Sequence, residues 1–430
     1  MIEELRRYVI ADPNPYVLDL AAGDGMWLAT VDGQRLFDWT GYYASKWIAH
    51  NHPRLFEPEY LRRLGFAANN KLANVDFLTP ECLEYYRVLH EVAPRCMRNE
   101  RLEVYAVNSG AEAVENMMKY LITLHEQKQG KSAARPKRFL YFDQAFHGRT
   151  VFALNITDLS HSPIITKDFH GIAHGNIQVP FPTVNNDDPA TENRFRSEQA
   201  LQRVERSLRE HAGEVVGIII EPIQGAGGHR VAEMEFFQGL SRLAHEYGTY
   251  LGFDEVQTAG GQTGAFFMAD LFDLPHPPQA IAAAKKMGNG VIYMLHPMGD
   301  EGVLDSTWGG SLADMVRFVQ EWKIVREERL LEQVADKAAH LVAGLKTLQR
   351  EFPGLVKNVR GAGLYQGFSL PTPAQKSAVI DRALQEEDLM LLGAGRRSIR
   401  LRPHLHVTNA DTDLLIEKLR RVLLSASRSL

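Results

Sequence analysis

The sequence predicts an α/β protein: a mostly parallel sheet wrapped by helices, in one large and one small domain. Two observations carry this. From about residue 100 onward, short apolar runs at 104–107, 139–142, 215–220 and 250–253 are separated, for the most part, by helical stretches, the rhythm of strands covered on both faces. The chain is also long enough, at 430 residues with 45% hydrophobic content, for two or three domains of roughly 100 to 200 residues.

Taken in order, residues 18 to 40 read as a local antiparallel unit. Gly23-Asp24-Gly25 and Asp32-Gly33 are turn signals that separate Met26-Trp27-Leu28 from Leu36-Phe37. Residues 109–128 read as a helix with Val114, Met117, Met118, Leu121 and Leu124 on one stripe. Ser109 stands as its N-cap, with Glu112 three residues on. The region 180–193, rich in Pro, Asn and Asp, reads as a surface loop, and 321–350 as one long helical stretch. The bend Gly361-Ala362-Gly363 opens a final α/β segment.

A net charge of -5 gives no electrostatic case for nucleic acid or an acidic membrane, so small molecules are the expected partners. Cys82 and Cys96 are too few for a disulfide framework and suit a reducing cytosol. The first twelve residues lack an apolar core of signal length, and no run of about 18 apolar residues occurs. A cytoplasmic location is therefore expected.

Three stretches carry chemistry. Asn108-Ser109-Gly110-Ala111 lies between a strand and a helix, where free N–H groups and a hydroxyl suit an anion, although any capped helix looks alike. Phe253-Asp254-Glu255-Val256-Gln257 ends an apolar strand at the edge where open α/β sheets hold ligands. An Asp there is either structural or a partner for a protonated ring nitrogen. Lys285 and Lys286 follow an apolar stretch, Lys285 standing 31 residues beyond Asp254. A buried-edge lysine loses its proton and attacks carbonyls, whereas paired lysines are more often just solvated.

Together these pieces resemble the class III, fold type I pyridoxal-phosphate aminotransferases over nearly the whole chain. The resemblance rests on Asn108-Ser109-Gly110-Ala111-Glu112-Ala113, Phe146-His147-Gly148-Arg149-Thr150, Glu221-Pro222-Ile223-Gln224-Gly225, Asp254-Glu255-Val256-Gln257-Thr258, Lys285, and Ser306-Thr307-Trp308-Gly309-Gly310, in that order. It implies pyridoxal 5′-phosphate as cofactor and a large domain with a mostly parallel seven-stranded sheet beside a smaller α+β domain. The implied divisions are 1–55, 56–310 and 311–430, the first contributing to the small domain. It also implies a homodimer with shared active sites, an amino donor and a 2-oxo acid acceptor.

By the same resemblance Lys285 is the Schiff-base lysine and later the base that moves a proton, with Lys286 a bystander. Asp254 takes the pyridine nitrogen, Gln257 lies near the ring hydroxyl, and Phe146 stacks on the ring. Ser109, Gly110 and Ala111 hold the phosphate, joined by Thr307 from a neighbouring subunit. Arg149 and Arg400 stand at the carboxylate-binding positions, with Arg402 a substitute for the latter. No metal is implied. The pair Lys285-Lys286, Trp308, Phe236-Phe237 and Phe368-Ser369-Leu370-Pro371 are similar to the L-lysine 6-aminotransferase subgroup. Ornithine-type, ω-amino acid and amine aminotransferases, and racemases or aminomutases on the same scaffold, are the alternatives. One departure bears on the substrate: Ala226 stands where that subgroup carries Glu. His276-Pro277-Pro278 also lengthens the approach to Lys285 by about two residues, as loops tolerate.

Overall fold

Tight turns shape the first part of the chain. In the computed structural model, which describes residues 1–9, 14–129, 135–166, 169, 175–299 and 302–427, strands β1 (Leu18–Asp24), β2 (Trp27–Thr30) and β3 (Arg35–Asp38) form an antiparallel meander. It turns where the glycines predict. β3 then accepts Leu389–Met390 in parallel, so the two ends of the sequence share one sheet.

Seven strands form the central sheet: β4 (Glu103–Val107), β5 (Arg138–Phe142), β6 (Ile177–Val179), β7 (Val215–Ile220), β8 (Tyr250–Glu255), β9 (Ala280–Ala283) and β10 (Gly290–Met294). Their order is β4-β10-β9-β8-β7-β5-β6, and only β10 runs antiparallel to its neighbours. Side chains alternate between two apolar cores. Ile218, Ile220, Phe253 and Ile281 enter one; Val216, Ile219, Ala282 and Ile292 enter the other. Helix Met234–Glu246 covers the first with Phe236, Phe237 and Leu240, and helix Gly110–Gln129 covers the second with Val114, Met117 and Leu121. Each such large side chain contributes ~1.5–3 kcal/mol by leaving water. A further antiparallel sheet joins Lys357–Ala362, Tyr365–Ser369, Ser398–Arg400 and Leu392–Ala394. Among the described residues no helix is long and apolar enough to cross a membrane.

Three expectations need correction. The stretch 321–350 is two helices, Leu312–Glu327 and Val334–Glu351. Between them Arg329 turns to φ 52, and the carboxylate of Glu328 is gripped by His52 at 3.1 Å and His406 at 2.8 Å. These contacts come from both ends of the chain, so helical periodicity gives no sign of them. The loop at 180–193 ends early, because helix Ala190–Glu210 starts behind Pro189. The bend at 361–363 lies between strands already under way, Lys357–Ala362 and Tyr365–Ser369.

Candidate active site

Parallel pairing brings the two chemically distinctive stretches together. β8 and β9 are adjacent and parallel, with Asp254 opposite Ala282 and Glu255 opposite Ala283. The segments leaving these two strands therefore emerge on the same sheet edge, and 31 residues of sequence separation vanish. Asp254 and Lys285 line one cavity of about 590 Å³ with Phe146, Gln257, Arg149 and Arg400. All six were expected at the site from the sequence.

Lys285 starts a single 3₁₀ turn, Lys285–Met287, at φ 56, a left-handed conformation that non-glycine residues adopt at a cost. Burial, reinforced by the cationic Arg400, pulls its ammonium down to about 8 from the usual 10.5, against the opposite pull of Asp254. A neutral, nucleophilic amine is thereby available near physiological pH.

Asp254 is held rigidly. Its Oδ1 accepts the Val256 N–H at 3.0 Å, and its Oδ2 lies 2.8 Å from Nδ1 of the fully buried His147. Glu221 shares the wall and accepts the Phe146 N–H at 3.1 Å. Burial, and then the charge of Asp254, push the Glu221 carboxyl well above its ordinary range. Arg149 is exposed and lies 5.8 Å from the Phe146 ring centroid.

The structure separates the two candidate arginines. Arg400, 6% exposed, lines the cavity, and its Nε and Nη1 have no hydrogen-bond partner among the described residues. Buried guanidinium donors left this way are costly, and a carboxylate satisfies them bidentately. Arg402 instead sits behind the wall. Its Nε and Nη2 donate to Gln257 Oε1 at 3.1 and 3.0 Å, and Nη2 also reaches His229 Nδ1 at 2.9 Å. Arg402 as a substitute carboxylate binder is therefore not what the geometry offers.

Ser109, Gly110 and Ala111 stand beside this cavity rather than in its wall. Ser109 Oγ caps the helix by accepting the Glu112 N–H at 3.2 Å. A Cβ on Gly110 would lie 2.8 Å from Val256 and 3.3 Å from Ala284, so the helix N-terminus abuts both halves of the site. Thr307 is exposed, in a loop whose Ser306 Oγ accepts from Asn108 Nδ2 at 3.1 Å.

Several residues escaped the sequence reading. Tyr42 and Tyr43 line the cavity from Gly41–Ala44, a turn in which all four residues have positive φ. No local pattern announces three left-handed non-glycine residues in a row. His161 also lines the cavity, its Nδ1 buried without a partner among the described residues. His147 was legible only as part of a longer motif.

The chain resembles known proteins along nearly its whole length. A family model, Aminotransferase class-III, matches residues 9–423. An L-lysine-epsilon aminotransferase of Amycolatopsis lactamdurans is 31% identical, the match covering 98% of this chain and 95% of that protein. An acetylornithine aminotransferase of Gloeobacter violaceus is 30% identical over 91% of this chain and 89% of its own length. Among solved structures, a lysine aminotransferase from M. tuberculosis in the internal aldimine form superposes with a TM-score of 0.91 at 29% identity, covering 99% of this chain and 98% of that one. The residues suit such a cofactor: an amine with a lowered pKa, a clamped carboxylate and a capped helix N-terminus meet at one edge of the sheet. The chain belongs to the class-III aminotransferases, enzymes that depend on pyridoxal 5′-phosphate.

Proposed function

We propose that the protein transfers the terminal amino group of L-lysine to 2-oxoglutarate, giving 2-aminoadipate 6-semialdehyde and L-glutamate. The observation that carries this reading is Arg400, buried with two unpartnered donors in the cavity that Lys285 enters. A substrate with a carboxylate at one end and an amine at the other spans these two groups. The relatives named as L-lysine-epsilon aminotransferases, at 31 and 32% identity, support the choice of amine.

Bound pyridoxal phosphate supplies a carbonyl for the amine and an electron sink for the carbon that loses its proton. In this reading Lys285 carries that proton. Asp254, oriented by His147, keeps a ring nitrogen protonated, and Phe146 lies against the ring. Gln257 donates to the ring oxygen, while Ser109, Gly110 and Ala111 hold the phosphate with Thr307 of a second subunit. Arg400 and Arg149 take the carboxylates of donor and acceptor. The working unit is a homodimer in the cytoplasm.

Ala226 favours a second reading. It lines the cavity, so no side-chain carboxylate there covers Arg400, and Glu221, its carboxyl pushed up, is a poor counter-ion. An uncovered arginine suits any donor that always presents a carboxylate, including ornithine-type and other ω-amino acids.

The test adds L-lysine, L-ornithine or 4-aminobutyrate, without oxo acid, to cofactor-loaded protein and follows the visible absorption band. L-lysine is expected to bleach it fastest, and 2-oxoglutarate to restore it. In Ala226→Glu the acceptor KM is expected to rise about tenfold, as the new carboxylate competes for Arg400. Bleaching by ornithine or 4-aminobutyrate but not by lysine replaces the first reading with the second.

A further inference from the structure

Lys286, next to the reactive lysine, is 2% exposed, and the reading of the site gives it no role. Its Nζ donates to three oxygens: the Gln257 carbonyl at 2.7 Å, the Tyr365 hydroxyl at 2.8 Å and the Ala44 carbonyl at 3.2 Å. Three oxygens surround its Nζ, and burial, with the nearby Lys285 and Arg402 charges, pulls its pKa well below the ordinary lysine value. The three partners come from distant parts of the chain: the turn Gly41–Ala44, the segment after β8, and strand Tyr365–Ser369.

Each contact continues into the cavity wall. The Gln257 main chain is fixed by Lys286, and its side chain by Arg402, whose two N–H groups both meet Oε1. Only a carbonyl oxygen accepts both, so the amide must be oriented with Nε2 away from Arg402 and free to donate elsewhere. Arg402 is itself held over the Tyr365 ring at 4.4 Å. It also donates to His229 Nδ1, while His229 Nε2 faces the Arg360 carbonyl at 3.2 Å. His229 is therefore the neutral Nε2–H tautomer, and burial with the Arg402 and Arg360 charges holds its pKa well below the usual value. At the other end Ala44 closes the left-handed turn that places Tyr42 and Tyr43 on the cavity. The loop of contacts Lys286, Gln257, Arg402, Tyr365 and back to Lys286 is closed.

We propose that Lys286 is a positioning residue for this active site: through Gln257 it aims the amide that meets the cofactor ring oxygen, and through Ala44 it sets the tyrosine wall. This rests on the cavity being the cofactor site. Lys285 and Lys286 then have opposite tasks, one presented to the cavity and the other turned away to hold the wall.

The experiment compares Lys286→Met, Lys286→Arg and Tyr365→Phe with the parent, reading cofactor affinity by fluorescence quenching, the visible band of the Lys285-bound cofactor, borohydride trapping on Lys285, and Tm. The parent is the control for the site. If it takes up no cofactor on Lys285, the site reading fails, and the proposal with it. With the parent loaded, Lys286→Met is expected to bind cofactor at least tenfold more weakly and to shift the band or its pH midpoint, with partial recovery in Lys286→Arg. A purely structural lysine lowers Tm and leaves affinity and band where they were, which overturns the proposal. If Lys286→Met does not fold, Tyr365→Phe decides, since it deletes one hydroxyl and keeps the ring beneath Arg402. A shifted band with a threefold or larger loss of affinity supports the proposal, and parental values overturn it.

Discussion

Lys285 reaches the cavity from a left-handed backbone, between a cationic Arg400 and a clamped Asp254. Burial opposes its charged form, so the neutral amine appears at lower pH than in a free lysine. With ionisation near 8, the neutral fraction rises from about one tenth at pH 7 to about nine tenths at pH 9. Attachment of pyridoxal phosphate to the apoprotein is expected to accelerate about tenfold across that interval and then level off. Stopped-flow growth of the visible band between pH 6 and 11 checks this, and a midpoint near 10.5 would show an unperturbed lysine. Local residue properties left the pair open, because two adjacent lysines share them all, and only the family resemblance singled out Lys285. A one-residue step around a tight turn sends one to the cavity and the other to three oxygens from elsewhere in the chain.

At the scale of elements, the turn Gly41–Ala44 is the least expected part of the site. Asp38 anchors its start, accepting from Thr40 N and Oγ1 at 2.7 and 2.6 Å and from Gly41 N at 3.1 Å. Four successive positive φ values follow, strained for the three non-glycine residues. Gly41 has no room for a side chain, since a Cβ would lie 2.2 Å from the Arg402 carbonyl oxygen. Gly41→Ala is expected to destabilise by about 1–3 kcal/mol and to raise donor KM more than it lowers kcat, because the tyrosine wall moves while Lys285 stays. Gly65→Ala is the control. It lies inside helix Pro58–Asn69 with nothing within 4 Å of the added Cβ, so it is expected to be neutral or to stabilise by up to about 1 kcal/mol. Thermal melts and steady-state kinetics of the two variants check both. The meander and the central strands were legible because turn residues and short continuous apolar runs are local signals. The break between the two helices at 312–351 was not, because His52 and His406 impose it from outside the segment.

At the scale of the molecule, Thr307 is exposed, as is the indole of Trp308, 45% exposed with Lys71 Nζ 3.9 Å from its ring centroid, in a chain that also exposes Phe77 and Leu78. Asn74 ties this region together, donating from Nδ2 to the Trp308 and Gly310 carbonyls at 2.8 and 2.9 Å. In the proposed homodimer a second chain covers such groups and receives Thr307 at its phosphate site. Sedimentation is expected to give twice the chain mass of 48.4 kDa, and specific activity to fall on dilution together with dimer mass. Thr307→Ala is expected to weaken cofactor binding about tenfold with the dimer intact. A fully active monomer would remove the shared-site reading.

The sequence by itself determined the class of fold, the run of cofactor motifs and the identity of the cofactor, because these reside in residues a few positions apart. Apolar strand runs, a helix cap and the Asp254 stretch all act over local spacings. Only the tertiary structure decided which groups engage Lys286, that Arg400 is free where Arg402 is engaged, and that two tyrosines close the site. The reason is physical. Arg400 and Arg402 are two apart, on a strand and just past it, and which one reaches the cavity depends on Gln257 and His229, more than 140 residues away in the chain. Burial and partner supply are properties of that assembly, and no local pattern carries them.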